Sequence, residues 1–354
     1  ATQPASRIGT LLVNPGGPGS AATDWASYAV RVLSSSIVER FDIVAWDPRG
    51  VGGSDPAIDC VDTMDDYFGL DPSPDNDGEL KSLVEGAKSF ADSCVARSGK
   101  ILTHVGTIDA AQDMDVLRRA LGEEQISFAG FSYGTKLGAT WATLFPTSVR
   151  AAVFDGAVDP ILGYVDDLIL QAEGFETSLN TFLDQCDVNQ CSFMQVDDTA
   201  RQAFDRIMLE LDNAPLICCP TRPPTNQGVA HMGIGVTLYA SYRWGELEDA
   251  LSAASSGDGQ PLLMLFDDYF GRQNNGFVDN SIDAYIAITC ADRDEQLTPQ
   301  DILGLESRLQ NVAPRLGASW IQEMMICAQW TTPTQGGLSL RADTANRILV
   351  VGSI

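Results

Sequence analysis

Four short apolar runs within the first 155 residues, at 9–14, 41–46, 125–129 and 149–155, constrain this chain more than any other feature. Each is too short for a helix, nearly continuous in Leu, Val, Ile, Phe and Ala, and bounded by Gly, Pro or Asp. That is the signature of strands buried on both faces. Helical periodicity separates them: residues 24–38 (Trp25, Tyr28, Ala29, Val32, Leu33), 79–97, 108–121 with Thr107 as N-cap, and 135–144. Strand, helix, strand at this spacing predicts parallel βαβ units. The Asp-, Pro- and Gly-rich residues 55–78 read as an exposed excursion. From 159 to 330 the alternation gives way to helical pattern, with loops at 212–231, 255–260 and 271–280 and no internal repeat. Residues 347–352 restore a strand. The expected organisation is an α/β core over 1–158, a mainly helical insertion over 159–335, and a return of the core over 336–354.

The 354 residues carry 22 basic and 48 acidic side chains, a formal net charge of −26. Such an excess excludes a phosphate-backbone partner, because few cations are present to displace counterions. No apolar run reaches the length of a membrane span. The chain opens at Ala1-Thr2-Gln3-Pro4, with no initiator Met, and closes on a strand-like Val350-Val351-Gly352-Ser353-Ile354. The expectation is an interior piece of a longer protein.

Eight cysteines permit 105 pairings. Proximity along the chain suggests Cys60 with Cys94, Cys186 with Cys191, and Cys290 with Cys327. The adjacent Cys218 and Cys219 stay open between free thiols and separate partners. No C-x-x-C or His-x-x-x-His spacing exists, so no metal is expected. Paired cysteines favour an exported protein, secreted or in the cell envelope.

Gly130-Phe131-Ser132-Tyr133-Gly134 falls between the third strand and a helix. A G-x-S-x-G turn there pushes a serine hydroxyl out above the sheet and aims a helix N-terminus at it, the arrangement of an acyl-transfer nucleophile. Acyl transfer also needs backbone N–H donors for the tetrahedral oxyanion. One candidate is Tyr133. The other comes from Pro15-Gly16-Gly17-Pro18-Gly19, where Pro18 has no N–H and the choice lies between Gly16 and Gly17, with Gly17 favoured. Neither G-x-G-x-x-G nor a Gly-Lys-Ser/Thr loop appears, so no nucleotide cofactor is expected.

Leu11-Leu12-Val13-Asn14-Pro15-Gly16-Gly17-Pro18-Gly19-Ser20, Phe41-Asp42-Ile43-Val44, Trp46-Asp47-Pro48-Arg49-Gly50-Val51-Gly52 and the Ser132 motif resemble the secreted tripeptidyl aminopeptidase group of the α/β-hydrolases, beside the proline iminopeptidases. Val153-Phe154-Asp155-Gly156, Asp159-Pro160 and Cys290-Ala291-Asp292 extend the likeness. The resemblance implies an α/β-hydrolase fold, a mostly parallel sheet flanked by helices, with a large helical cap and both ends of the core truncated. It also implies a serine exopeptidase that releases short peptides or residues from peptide N-termini through an acyl-serine. In that family the triad runs Ser, Asp, His, with the Asp in a turn after a late strand that residues 347–352 resemble. Lys136 departs from the family's aromatic or apolar residue.

On this reading the chain holds a nucleophile, Ser132, and lacks the triad Asp and His. His104 precedes the serine and His231 sits in the insertion, so each reads as an ordinary polar or packing histidine. Lys136 is four residues from Ser132, not the three of S-x-x-K. Asp155 and Asp159 can orient a base but not replace it. An exopeptidase needs carboxylates for the substrate's α-ammonium. The candidates are Asp292 and Glu295, with Asp294, and a second cluster of Asp166, Asp167 and Glu173. Trp244, Tyr239 and Phe270 are pocket or core aromatics. The expected partner is a peptide or a small acyl substrate. The alternatives are a carboxylesterase or amidase and a non-catalytic binding protein on the same scaffold.

Overall fold

The computed structural model describes residues 1–2, 4–23, 25–159, 162–273, 276–336, 338–344 and 346–352. Asp24, Pro160 and the terminal Ser353 and Ile354, which figure in the sequence reading, lie outside them. The strands are β1 (Gly9–Asn14), β2 (Phe41–Ala45), β3 (Ile126–Phe131), β4 (Val149–Asp155), β5 (Arg272–Gln273), β6 (Gly276–Phe277) and β7 (Ile348–Val351). Five make one sheet, ordered β2-β1-β3-β4-β7 and parallel at every pair. All six residues of β1 are buried. Alternate side chains go to opposite faces: Leu11 and Val13 meet Trp25, Ile37 and Phe131 on one side, whereas Leu12 joins Phe128, Trp141 and Phe154 on the other.

The helices of the first part are α1 (Trp25–Val32), α2 (Ser35–Val38), α3 (Asp65–Phe68), α4 (Asp77–Leu102), α5 (Thr107–Ala120) and α6 (Tyr133–Leu144). The single helix expected over 24–38 is two pieces, because Ser34 is extended (φ −61°, ψ 149°) and serines favour caps over helix interiors. The segment 55–78 is not the exposed excursion its composition suggested. Ile58, Cys60, Met64, Tyr67 and Phe68 are core residues. The Cys60–Cys94 disulfide binds the segment to α4, and the Tyr67 hydroxyl donates to the Gln322 carbonyl at 2.6 Å. Thr107 is not the cap of its helix but its first residue, with Gly106 at the cap. Asn76 accepts from the N–H groups of Gly78 and Glu79, which starts α4 earlier than expected.

Beyond β4 come α7 (Tyr164–Asn189), α8 (Ala200–Asn213), α9 (Gln227–Leu238), α10 (Trp244–Ser255), α11 (Gln260–Tyr269), α12 (Ser281–Asp292), α13 (Pro299–Leu303), α14 (Glu306–Val312) and α15 (Gly317–Ala328). Asn226 caps α9 by accepting from Val229 N–H at 2.9 Å, so the loop expected over 212–231 ends early and His231 is helical. The C-terminal half of α7 packs with α8 to α11 around a core of its own, containing Phe182, Phe193, Phe204 and Leu251. The first turns of α7, with α12 and α15, share the core of the sheet instead. The helical region therefore holds two unlike parts, and the one fused to the sheet borders the serine. Disulfides join Cys186 to Cys191 and Cys290 to Cys327, while Cys218 and Cys219 are thiols.

Candidate active site

Ser132 occupies the single residue between β3 and α6, at φ 52° and ψ −125°. A non-glycine residue held there carries about 1–3 kcal/mol of strain, so its surroundings must over-determine it. They do. Ser132 N–H donates to the Asp155 carbonyl at 2.9 Å, which ties the turn to the end of β4. The Thr135 hydroxyl donates to the Ser132 carbonyl at 2.7 Å and accepts from Val158 N–H at 3.0 Å. The Ser132 side chain is exposed, opening into a cavity of about 1350 Å³.

The loop after β1 lies directly against this turn. A Cβ on Gly16 would stand 2.5 Å from the Phe131 carbonyl oxygen and 3.1 Å from Ser132 Cβ, and Gly16 has φ +104°. Only glycine permits that approach. Gly16 N–H is already committed, donating to Asn14 Oδ1 at 3.0 Å in a buried bond. Gly17 lines the cavity with Ser132 and Tyr133, and no bond of its N–H is formed among the described residues. Asp47, at the end of β2, holds the loop's far side by accepting from the N–H groups of Ala22, Thr23 and Gly53. Burial would raise its pKa, but those donors together hold it below the ordinary carboxylate value.

The opposite wall comes from the helical region. Asp159, Tyr164, Asp167, Glu173, Tyr239, Tyr285, Asp292 and Asp294 all line the cavity, with Lys136 and Arg293 among the cations. Glu323, on α15 and 8% exposed, accepts a 2.5 Å hydrogen bond from the Tyr285 hydroxyl. Burial pushes its carboxyl up to about 7, against the Tyr285 bond and with help from the charge of Asp167. Asp167 is itself raised by burial, and the Lys136 charge opposes the rise. Asp167 thus lines the cavity itself, whereas Glu323 lies behind Tyr285, which does.

The sequence candidates are distributed unevenly. Ser132, Tyr133 and Gly17 come together, with Gly16 packed behind them. Asp292 lies in the cavity wall, but its carboxylate is occupied: Oδ1 accepts from Thr107 N–H at 2.7 Å, and Oδ2 accepts from the Thr107 hydroxyl with Lys136 Nζ 3.6 Å away. Glu295 does not reach the serine's cavity; with Asp166 and Arg308 it lines a separate shallow depression. His104 is exposed at the surface, 4.0 Å from Asp109. His231 is buried on α9 without a hydrogen-bond partner. Neither lines the cavity. Trp244 and Phe270 are packed against Phe182 and Phe266. Glu323 escaped sequence reading. Its signal was a carboxylate inside a mainly apolar run, Trp320-Ile321-Gln322-Glu323-Met324-Met325-Ile326.

Comparison with known families agrees with this architecture: the alpha/beta hydrolase fold matches residues 9–209. The chain belongs to the alpha/beta hydrolase fold family. Over 341 residues it is 34% identical to serine protease Hip1 of Mycobacterium tuberculosis, covering 92% of this chain and 65% of that protein. It is 36% identical over 339 residues to carboxylesterase B of the same organism, covering 92% and 64%. With tripeptidyl aminopeptidase of Streptomyces lividans the figures are 31% over 306 residues, 81% and 54%. The chain therefore spans less than two thirds of the length of these relatives. Among the described residues of this hydrolase-fold chain, no helix is long and apolar enough to cross a membrane.

Proposed function

We propose that the protein is a serine hydrolase that cleaves short peptides or residues from free peptide N-termini. The observation that carries the reading is Ser132 at φ 52° between β3 and α6, beside the Gly16-Gly17 loop and open to the cavity. Ser132 Oγ attacks the scissile carbonyl carbon. The carbonyl oxygen becomes an oxyanion, received by the N–H groups of Gly17 and Tyr133. Gly16 is left out because Asn14 holds its N–H. The amine departs, an acyl-Ser132 remains, and water releases it. The family resemblance assigns the base and its orienting acid to sequence following β7, and Gly352 at the end of β7 borders the same cavity.

Substrate selection falls to Asp167 and Glu323. Burial raises the pKa of both carboxyls, and an ammonium group bound beside them would restore their ionisation. Names of relatives support both a peptidase and an esterase reading. Three disulfides support an oxidising compartment, the cell envelope or exterior.

The test is turnover by the full-length protein. Ser132→Ala should abolish hydrolysis of tripeptide anilides, and unchanged turnover would refute the assignment. Acetylating the substrate amine should remove activity if the enzyme reads a free N-terminus. An esterase or amidase would accept both forms.

A further inference from the structure

Tyr133 contributes more to the site than its backbone. Its ring is buried and its hydroxyl lies 2.6 Å from Thr107 Oγ1. Thr107 is the first residue of α5, and Asp292, the last residue of α12, accepts from both its N–H and its hydroxyl. These contacts fix the direction of the chain of protons. A carboxylate only accepts, so the single Thr107 hydroxyl proton goes to Asp292. Thr107 Oγ1 then has only lone pairs to offer, and Tyr133 must donate to it. Burial holds the phenol far above its ordinary pKa, which keeps that proton in place.

The same carboxylate grips α6 a second time. Lys136 is three residues beyond Tyr133, on the same face of the helix, with its ammonium 3.6 Å from Asp292 Oδ2. Gly106 leaves room for the bond from Thr107 N–H to Asp292 Oδ1, since a Cβ there would stand 3.1 Å from that oxygen and 2.6 Å from Gln335 Oε1. The clamp is anchored at its far end. The Cys290–Cys327 disulfide joins the last turn of α12 to α15, and Tyr285 of α12 bonds Glu323 of α15. One helix thus supports the first turn of α6 and, through Tyr285, bonds Glu323 of α15.

We infer that Asp292 is a positioning residue for the oxyanion site: through Thr107 and the Tyr133 phenol it fixes the first turn of α6, and with it the backbone N–H beside Ser132. The inference rests on the reading of Ser132 as the nucleophile. Asp292 does not bind substrate, because its oxygens are committed to Thr107 and Lys136. An asparagine in its place reverses the proton chain: the amide donates to Thr107, Thr107 donates to Tyr133, and the phenolic proton loses its acceptor.

The experiment compares full-length wild type with Asp292→Asn, Tyr133→Phe and the double variant, after titration of active sites with a fluorophosphonate. Peptide anilide hydrolysis gives kcat and KM. A peptide aldehyde, which forms a tetrahedral adduct with Ser132, and the product peptide give binding of charged and uncharged states. Deleting an oxyanion donor outright lowers kcat by about 100- to 1,000-fold, so a displaced donor should lower it by about 10- to 100-fold. KM and product affinity should hold within about twofold, aldehyde affinity should fall in step with kcat, and the double variant should be no worse than the weaker single one. Wild-type kcat in both single variants overturns the inference, as does an equal loss of aldehyde and product affinity. Should Asp292→Asn fail to fold, Tyr133→Phe, which removes one oxygen, decides alone. The two levels separate through Ser132→Ala: turnover surviving there removes the nucleophile assignment and this inference together, whereas loss of turnover there with intact kcat in the Asp292 and Tyr133 variants removes only this one.

Discussion

His231 makes the fold sensitive to acid in a way that can be isolated. It is 3% exposed on α9, among Val229, Ala230, Met232 and Ile234, and neither ring nitrogen has a partner. Burial alone lowers its pKa from 6.5 to about 4. Above pH 6.5 the imidazole is neutral in both folded and unfolded chains and contributes no slope. As the pH falls below 6.5 the unfolded chain takes up a proton that the folded chain refuses, so stability declines; the decline levels off below about pH 4, where both are protonated. At 1.36 kcal/mol per unit, the loss is about 1 kcal/mol at pH 5.5 and about 3 kcal/mol at pH 4. His231→Leu removes the titration and an unsatisfied polar group, at similar volume. Urea unfolding followed by tryptophan fluorescence at pH 7.5, 5.5 and 4 gives the difference between the proteins, in which every other titrating group cancels. The variant should gain on the wild type by those amounts as the pH falls. Parallel stability curves would show that the imidazole is protonated inside the folded protein, and the argument from desolvation would fail.

Glu323→Gln removes the charge that the proposed ammonium site depends on. A charge-assisted hydrogen bond contributes about 1.5–3 kcal/mol, so KM for free-amine peptides should rise about 10- to 150-fold, with little change for any acetylated substrate that is turned over. Because the folded carboxyl titrates at about 7, free-amine binding in the wild type should strengthen as the pH rises through 7, and that rise should be absent from the variant. A pH profile of kcat/KM that is identical in both proteins would exclude Glu323 from substrate recognition. Replacing Cys290 and Cys327 by alanine opens a loop with a sequence separation of 37, and the chain-entropy relation gives a loss of about 4 kcal/mol. Denaturant unfolding measures it, and a loss below about 1 kcal/mol would mean that packing of α12 on α15 suffices without the bond.

The parts of this molecule that could be read from its sequence are those where a residue type answers a demand of its own backbone. Gly16 must be bare because the chain reverses against Phe131, and the flanks of Ser132 are glycine because strand and helix meet there; both demands are local and leave a spacing behind. The strands were legible for the same reason, since β1 is buried throughout and its composition says so. Long-range polar pairing leaves no such trace. Asp292 meets Thr107 across 185 residues, Glu323 meets Tyr285 across 38, and Tyr67 meets Gln322 across 255. In a chain with 48 acidic residues, nothing in the neighbourhood of Asp292 or Glu295 separates a carboxylate locked in a wall from one facing solvent. The choice between Gly16 and Gly17 shows the same division within two adjacent residues. Both satisfy the turn, and only in the folded loop does the Gly16 N–H donate to Asn14 Oδ1, the bond on which the proposal of Gly17 as donor rests. Hydrogen bonds of that kind distinguish residues that the backbone has already brought together, which is why the turn at Ser132 and the glycine loop were legible in the sequence and the partners of their individual groups were not.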